Sequence, residues 1–227
     1  DLTEAANEVV AENKRVASMI GIKTAARQTL GKPEGTSSLV LGTSSGIHAW
    51  FDSFYMRRMK LGKNEAIYTY LNDKFPELIE DDFFRPNHDA FVKIPVAAPR
   101  NAITAPQETA FSLLERIKYF SEKWVKPGHF KGDNSHNISA TVYIKQDEWD
   151  STRDWLWKNR DYYNGLSFLP FDGGTYKQAP HESITEEKYN EMAKYLKDID
   201  LSEVVEFQDE TSLTGELACA GGSCEII

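Results

Sequence analysis

The apolar positions of this chain change their spacing along its length, and the changes mark out a series of elements. Between Thr3 and Ile20, Ala6, Val9, Val10, Val16 and Met19 approximate a helical stripe. Thr3 is placed to cap that helix, Glu4 suits its first turn, and Gly21 can end it in a left-handed conformation. Thr24 to Leu30 reads as a short strand. Asn64 to Lys74 is helical again, with Ile67, Tyr70 and Leu71 on one side and Pro76 as its stop. From Phe91 onward strands and helices alternate. Phe91 to Val96 is a β-rich run. Thr104 can cap a helix opened by Pro106, with Phe111, Leu114, Ile117, Tyr119, Phe120 and Trp124 on its apolar side and Pro127-Gly128 as its end. Ile138 to Lys145 alternates with period two, as a half-buried strand does. Asp147 to Arg160 is a helix bearing Trp149, Trp155 and Leu156, and Gly165 to Pro170 is a last strand. Ser183-x-x-Glu186 has the form of a capping box for a helix running to about Lys197. This alternation predicts parallel α/β packing with right-handed crossovers.

Between the first helix and the aromatic-rich run that starts at Ala49 lies a different kind of segment. Gly31-Lys32-Pro33-Glu34-Gly35-Thr36-Ser37-Ser38-Leu39-Val40-Leu41-Gly42 is followed by Thr43-Ser44-Ser45-Gly46-Ile47-His48. A Gly-Thr-Ser-Ser tetrapeptide occurs twice, at Gly35 and again seven residues later at Gly42. Glycines permit positive φ and close approach of a ligand, and Pro33 fixes the entry to the turn. Consecutive hydroxyl residues at a helix start offer N–H and O–H donors, which makes the segment a candidate anion cradle for phosphate. Read alone, it is more simply a Ser/Thr-rich cap and turn than a phosphate cradle. The Gly-x4-Gly-Lys-Ser/Thr pattern is absent, which excludes a Walker-type site. Ligands in parallel α/β folds gather at the carboxyl ends of strands, so this loop, Gly132 to Asn137, and Phe168 to Gly174 are candidate rim segments.

Ala49 to Leu61 carries Trp50, Phe51, Phe54, Tyr55 and Met56 as core or pocket wall, then Arg57-Arg58, read as a solvated or carboxylate-paired pair. The five histidines show no metal-ligand spacing and are read as structural, with His136 in Asn134-Ser135-His136-Asn137 the one to watch. A formal net charge of -9 argues against a nucleic-acid backbone binder. No apolar run nears the roughly 20 residues of a membrane span. The chain opens at Asp1 instead of Met, as a processed product or a fragment would. Its two cysteines both fall in the last nine residues, which excludes a disulfide framework through the core and suits a reducing cytoplasm.

The acidic stretch from Asp198 ends in Cys219-Ala220-Gly221-Gly222-Ser223-Cys224. Such a pair can close a local staple, supply half a zinc site, or exchange electrons as a dithiol. A staple at the extreme terminus stabilises little beyond itself, and zinc lacks two further ligands nearby, so the redox reading is preferred.

With loop and tail together, the chain resembles the C-terminal part of ribonucleotide reductases, most closely the adenosylcobalamin-dependent, ribonucleoside-triphosphate type. Four stretches carry the resemblance in order: Lys32-Pro33-Glu34-Gly35-Thr36-Ser37-Ser38, Ser44-Ser45-Gly46-Ile47-His48, Gly165-Leu166-Ser167-Phe168-Leu169-Pro170, and Cys219-x4-Cys224. The resemblance implies the C-terminal part of a ten-stranded α/β barrel over residues 24–198, preceded by an N-terminal helix over 1–23 and followed by a flexible redox tail over 199–227. It implies that Pro33, Glu34, Gly35, Thr36, Ser37 and Ser38 hold the phosphates of a ribonucleoside di- or triphosphate. Cys219 and Cys224 would be a shuttle that re-reduces the active-site disulfide and is itself reduced by a thioredoxin-like partner. The family's chemistry uses a thiyl radical on a central cysteine and two further barrel cysteines. This chain has no cysteine before Cys219, so those thiols, and most contacts to adenosylcobalamin, are expected on an N-terminal reductase polypeptide or missing segment. The alternative is a non-catalytic phosphate- or nucleotide-binding module with a redox-active tail.

Overall fold

The computed structural model describes residues 1–171 and 177–206. In chain order the elements are α1 (Leu2–Ile20), α2 (Ser37–Leu41), β1 (Phe54–Gly62), α3 (Ala66–Lys74), β2 (Ile79–Asp81) and β3 (Asp89–Ala97). They continue with α4 (Ala110–Phe120), β4 (Thr141–Ile144), α5 (Trp149–Lys158), β5 (Ser167–Pro170), β6 (His181–Ser183) and α6 (Glu186–Leu196). The chain divides into two compact units, Asp1–Ala49 with Gln107–Asp172, and Trp50–Pro106 with Gly173–Ile227. No helix of the described residues is long and apolar enough to cross a membrane.

In the first unit α1 begins one step earlier than its stripe suggests. Asp1, not Thr3, is the cap: its Oδ1 accepts from the amides of Thr3 at 2.7 Å and Glu4 at 3.4 Å, and its negative charge suits the helix's positive end. Gly21 ends the helix at φ 73° as expected. The cap of α4 is likewise displaced, from Thr104 to a capping box of Thr109 and Ser112, each side chain engaging the other's backbone amide at 3.1 Å. After Phe120 the helix widens into one π-type turn, Ser121–Val125. There Trp124 donates its indole N–H to the Leu30 carbonyl at 2.9 Å, and its own carbonyl accepts from Thr29 Oγ1 at 2.6 Å.

The predicted strand over Thr24 to Leu30 is not one. Its backbone groups pair with a loop: the Gln28 amide donates to the Gly128 carbonyl at 3.0 Å, and the Phe130 amide to Ala26 at 2.8 Å. A Cβ at Gly128 would lie 1.9 Å from Thr29 Oγ1, so only glycine allows this approach. Single bridges join Arg27 to His129 and Gly31 to Ile138. The core of the unit is built from Leu113, Leu114 and Ile117 of α4, Val142 and Ile144 of β4, and Trp155 of α5. β4 and β5 are parallel, Thr141 opposite Ser167 through Ile144 opposite Pro170, with α5 between them in sequence. Here the expected strand–helix–strand packing is present.

The second unit departs from the expectation. Its sheet, ordered β2-β3-β1-β6, is antiparallel throughout. The Phe91 to Val96 run lies within β3 but pairs with β1 in a nine-residue antiparallel register, Phe54 opposite Ala97 to Gly62 opposite Asp89. Met56 and Val92 face a core completed by Tyr70, Leu71, Leu78 and Met192. Thr185 caps α6, its hydroxyl oxygen accepting from the Lys188 amide at 3.2 Å, whereas Ser183 belongs to β6 and donates its hydroxyl to Asp52 at 2.6 Å. Thr104 is a buried residue bridged to Trp50, not a helix cap. Arg58 is carboxylate-paired, to Glu80 at 3.1 Å and Glu182 at 2.5 Å. The described residues therefore hold a mixed α/β fold of one parallel pair and one antiparallel sheet; a ten-stranded barrel is not among them, because closing one requires strands these residues do not contain.

Ile117 is fully buried between helix and sheet, whereas Val40 is 82% exposed. In urea unfolding of the full chain, Ile117→Ala is expected to lower stability by about 2–5 kcal/mol. Val40→Ala should stay within about 0.5 kcal/mol. Equal losses at the two positions would contradict this assignment of the core.

Candidate phosphate-binding loop

The two Gly-Thr-Ser-Ser copies do different work. The first runs into α2 and the second runs out of it. Gly42, at φ 62°, caps the carboxyl end of this five-residue helix, and the Thr43 amide closes back onto the Ser38 carbonyl at 2.9 Å. The last serine of each copy then donates its hydroxyl to one acceptor, the backbone carbonyl of Glu34: Ser38 from the buried side and Ser45 at 3.0 Å. Gly46, at φ 58°, brings the returning strand of the loop against its entry; a Cβ there would lie 3.1 Å from the Lys32 carbonyl oxygen and from Pro33. Glycine meets both requirements, positive φ and close contact.

Of the predicted residues, Pro33 and Gly35 are half-buried, Glu34, Thr36 and Ser37 are exposed, and Ser38 is buried with its hydroxyl engaged. Thr36 sits at the cap position, but no side chain closes the amino end of α2. The structure thus brings all six together as one turn whose exposed hydroxyls, Thr36 and Ser37, flank the first helical amides. Cys219 and Cys224 lie outside the described residues.

Two elements behind the loop hold it. Thr141, at the start of β4, donates its amide to His48 Nε2 at 3.1 Å, and His48 Nδ1 lies 3.1 Å from the Ser45 carbonyl. From α4, Arg116 donates to the Ile47 carbonyl at 2.9 Å and pairs with Glu108 at 2.6 Å. The sequence reading of His48 as structural left out this link; the signal was its position beside Ile47, an apolar residue that the core buries. Of the other rim segments, Asn137 bonds Gly165 through both ends of its amide and accepts from the Gly31 amide through its carbonyl at 3.3 Å. That contact lies at the amino ends of β4 and β5, not the carboxyl ends. His136 Nδ1 lies 3.1 Å from the Thr29 carbonyl.

No group of three or more His, Cys, Asp or Glu among the described residues is arranged to hold a metal. Two open depressions lie among the described residues, of about 380 Å³ beside Phe83 and Gln178 and about 480 Å³ beside Ile22 and Phe130. Elsewhere, His181 of β6 is stacked on Phe51 at 5.3 Å and edge-on to Tyr55 at 5.6 Å; burial, with the Arg57 charge as a smaller cause, pushes its imidazole down to about 4.

The fold is similar to one part of a ribonucleotide reductase. A crystal structure of a B12-dependent (class II) ribonucleotide reductase matches 89% of this chain with a TM-score of 0.72 at 21% identity, the match covering 27% of that structure. The sequence relatives are more particular. The adenosylcobalamin-dependent ribonucleoside-triphosphate reductase of Lactobacillus gasseri is 26% identical over 96% of this chain, and that of Euglena gracilis 27% identical over 92%. A probable enzyme of the same name from Dictyostelium discoideum is 26% identical over 95%. No protein-family model matches. The chain resembles these reductases over nearly all its length, and it spans 27–29% of theirs.

Gly46→Ala is expected to cost about 1–2 kcal/mol through the left-handed φ alone, and more through the contact with Pro33. The backbone amide signals of residues 32–38 should shift in a heteronuclear NMR spectrum while those of β1 and β3 stay in place. His181 gives a pH expectation of its own. Its folded-state pKa is depressed from 6.5 to about 4, so the unfolded chain binds more protons between those values. Its contribution to stability is present above about pH 6.5 and lost as pH falls through 4. Urea midpoints measured from pH 7 to 4 should drop along this slope, and His181→Gln should flatten it.

Proposed function

We propose that this chain is the C-terminal piece of an adenosylcobalamin-dependent ribonucleotide reductase, converting ribonucleotides to deoxyribonucleotides together with an N-terminal reductase polypeptide, and inactive without it. The observation that carries the reading is the similarity to reductases along 96% of the chain, with the hydroxyl-rich loop inside the matched region. In this reading Pro33 to Ser38 receive the phosphates of a ribonucleoside di- or triphosphate through the first amides of α2 and the exposed Thr36 and Ser37 hydroxyls. A neutral donor set of this kind binds a phosphate by geometry and by the helix's partial charge, without lysine clusters.

Cys219 and Cys224 are the shuttle. One thiolate attacks the active-site disulfide, forming a mixed disulfide and releasing one active-site thiolate. The second thiolate displaces the other active-site sulfur, leaving two reduced active-site thiols and a Cys219–Cys224 disulfide. A thioredoxin-like dithiol reverses the tail's oxidation by the same exchange. The cofactor, adenosylcobalamin, belongs by this reading mainly to the N-terminal polypeptide. A second reading has one observation in its favour: the loop is closed entirely within the first compact unit, as an independent phosphate- or nucleotide-binding module would be.

The test is ribonucleotide reduction by this chain mixed with the upstream polypeptide, adenosylcobalamin and reductant. Activity is expected only in the mixture. The Cys219→Ser, Cys224→Ser double variant should lose turnover with thioredoxin and regain it with a small dithiol. Failure to form a complex, with no activity under any reductant, would leave the binding module as the reading.

A further inference from the structure

A single hydrogen-bond chain runs from the sheet of the first unit to the loop. The Thr141 amide donates to His48 Nε2, His48 Nδ1 reaches the Ser45 carbonyl, and the Ser45 hydroxyl donates to the Glu34 carbonyl, at 3.1, 3.1 and 3.0 Å. Its polarity is set by its first member. A backbone N–H can only donate, so Nε2 must accept, and the proton of the neutral ring must reside on Nδ1, facing a carbonyl that can only accept. The chain is satisfied in one tautomer of one protonation state.

We propose that His48 is a positioning residue for the Glu34–Ser38 turn, and that its protonation releases that turn from β4. An imidazolium presents N–H at both nitrogens, so Nε2–H would point at the Thr141 N–H, donor against donor, at a half-buried site. To escape, the ring must turn away, and it then also abandons the Ser45 carbonyl, which already receives the His48 amide at 3.1 Å. Ser45 is the residue whose hydroxyl steadies Glu34 from the exposed side, so the loop loses its outer tie while Ser38 keeps the inner one. The charged groups facing the ring are Glu108, just before α4, and Arg116 on α4; they are paired with each other, so their effects on the ring oppose. Burial is the largest influence and holds the ring below its ordinary value against the pull of the Ser45 carbonyl and Glu108. The closed loop is therefore the form at neutral pH, and release belongs to pH below the ordinary histidine value.

The proposal rests on the loop's reading as a phosphate site, but the two fail separately. The full 227-residue chain is titrated from pH 8 to 4.5 by heteronuclear NMR, following the His48 imidazole and the amides of Gly35, Thr36, Ser37 and Thr141. These amides should shift with the same midpoint as His48, below 6.5, and the neutral ring should show the Nδ1–H tautomer. His48→Gln, whose side chain does not titrate, should leave the loop amides flat over the same range. Loop amides that ignore the His48 midpoint in the wild-type chain, or an Nε2–H ring at neutral pH, would overturn the proposal, and neither result depends on the variant folding. Calorimetry with inorganic tripolyphosphate at pH 7.5 stands apart: no binding there would count against the phosphate site while leaving the latch intact. If the site binds, wild-type affinity should fall about tenfold more than that of His48→Gln between pH 7.5 and 5, the loss of roughly one hydrogen bond's worth of positioning.

Discussion

The backbone carbonyl of Glu34 is the point on which the loop's order depends. One oxygen has two lone pairs, and here each receives a serine hydroxyl, Ser38 from the helix side and Ser45 from the returning chain. A five-residue helix is too short to hold itself in water, where isolated helices below about 12–15 residues are marginal. Its persistence must come from such ties, and from Gly42 and Gly46, which let the chain double back at no steric cost. The repeated tetrapeptide is thus not two copies of one site. It is one half that forms the helix start and one half that pins it.

Burial supplies the rigidity behind these ties. β4 lies under the loop with Val142 and Ile144 in the core, and α4 presses Leu114 and Ile117 against the same sheet. Neither element contributes a side chain to the exposed face of the turn. They fix instead the Thr141 amide and the Arg116 guanidinium, which grip the chain at His48 and Ile47. The second unit spends its charges differently. Arg58 is divided between Glu80 and Glu182, and Lys60 between Asp82 at 3.0 Å and Asp89 at 3.2 Å, so these cations brace strands against one another. Partly buried pairs of this kind specify register more than they add stability.

How much of this was legible follows from the range of each signal. Helices α1, α3, α4, α5 and α6 were readable because their apolar spacing is local. Their caps were less so, since several polar residues compete for each start and the winner is whichever reaches the free amides. Asp1 displaced Thr3, Thr109 displaced Thr104, and Thr185 displaced Ser183. The direction of β3 was missed because a strand's own alternation does not say which neighbour it will find, and an antiparallel β1 nine residues long satisfied every position. The Thr24 to Leu30 segment looked like a strand by composition but met a glycine loop, not a sheet. The loop itself was legible as a glycine and hydroxyl turn and His48 as structural; the link from His48 to Thr141 was not, because the two are 93 residues apart.

The charge of the chain bears on how such a loop can hold an anion at all. With a net charge of -9, a phosphate approaching this molecule gains nothing from long-range attraction. Binding must then be earned at contact, by amides and hydroxyls already aimed before the ligand arrives, because a loop that had to order itself would lose that gain to conformational entropy. Preorganisation is therefore what the proposed phosphate site would require most, and the hydrogen-bond chain from Thr141 to Glu34 would supply it. In the proposed reductase the same logic extends further. Residues 1–218 contain no cysteine, so under that proposal their part would be to fix the non-reacting end of the substrate. Binding energy from that remote end would then help to place the ribose against the proposed partner's reacting groups.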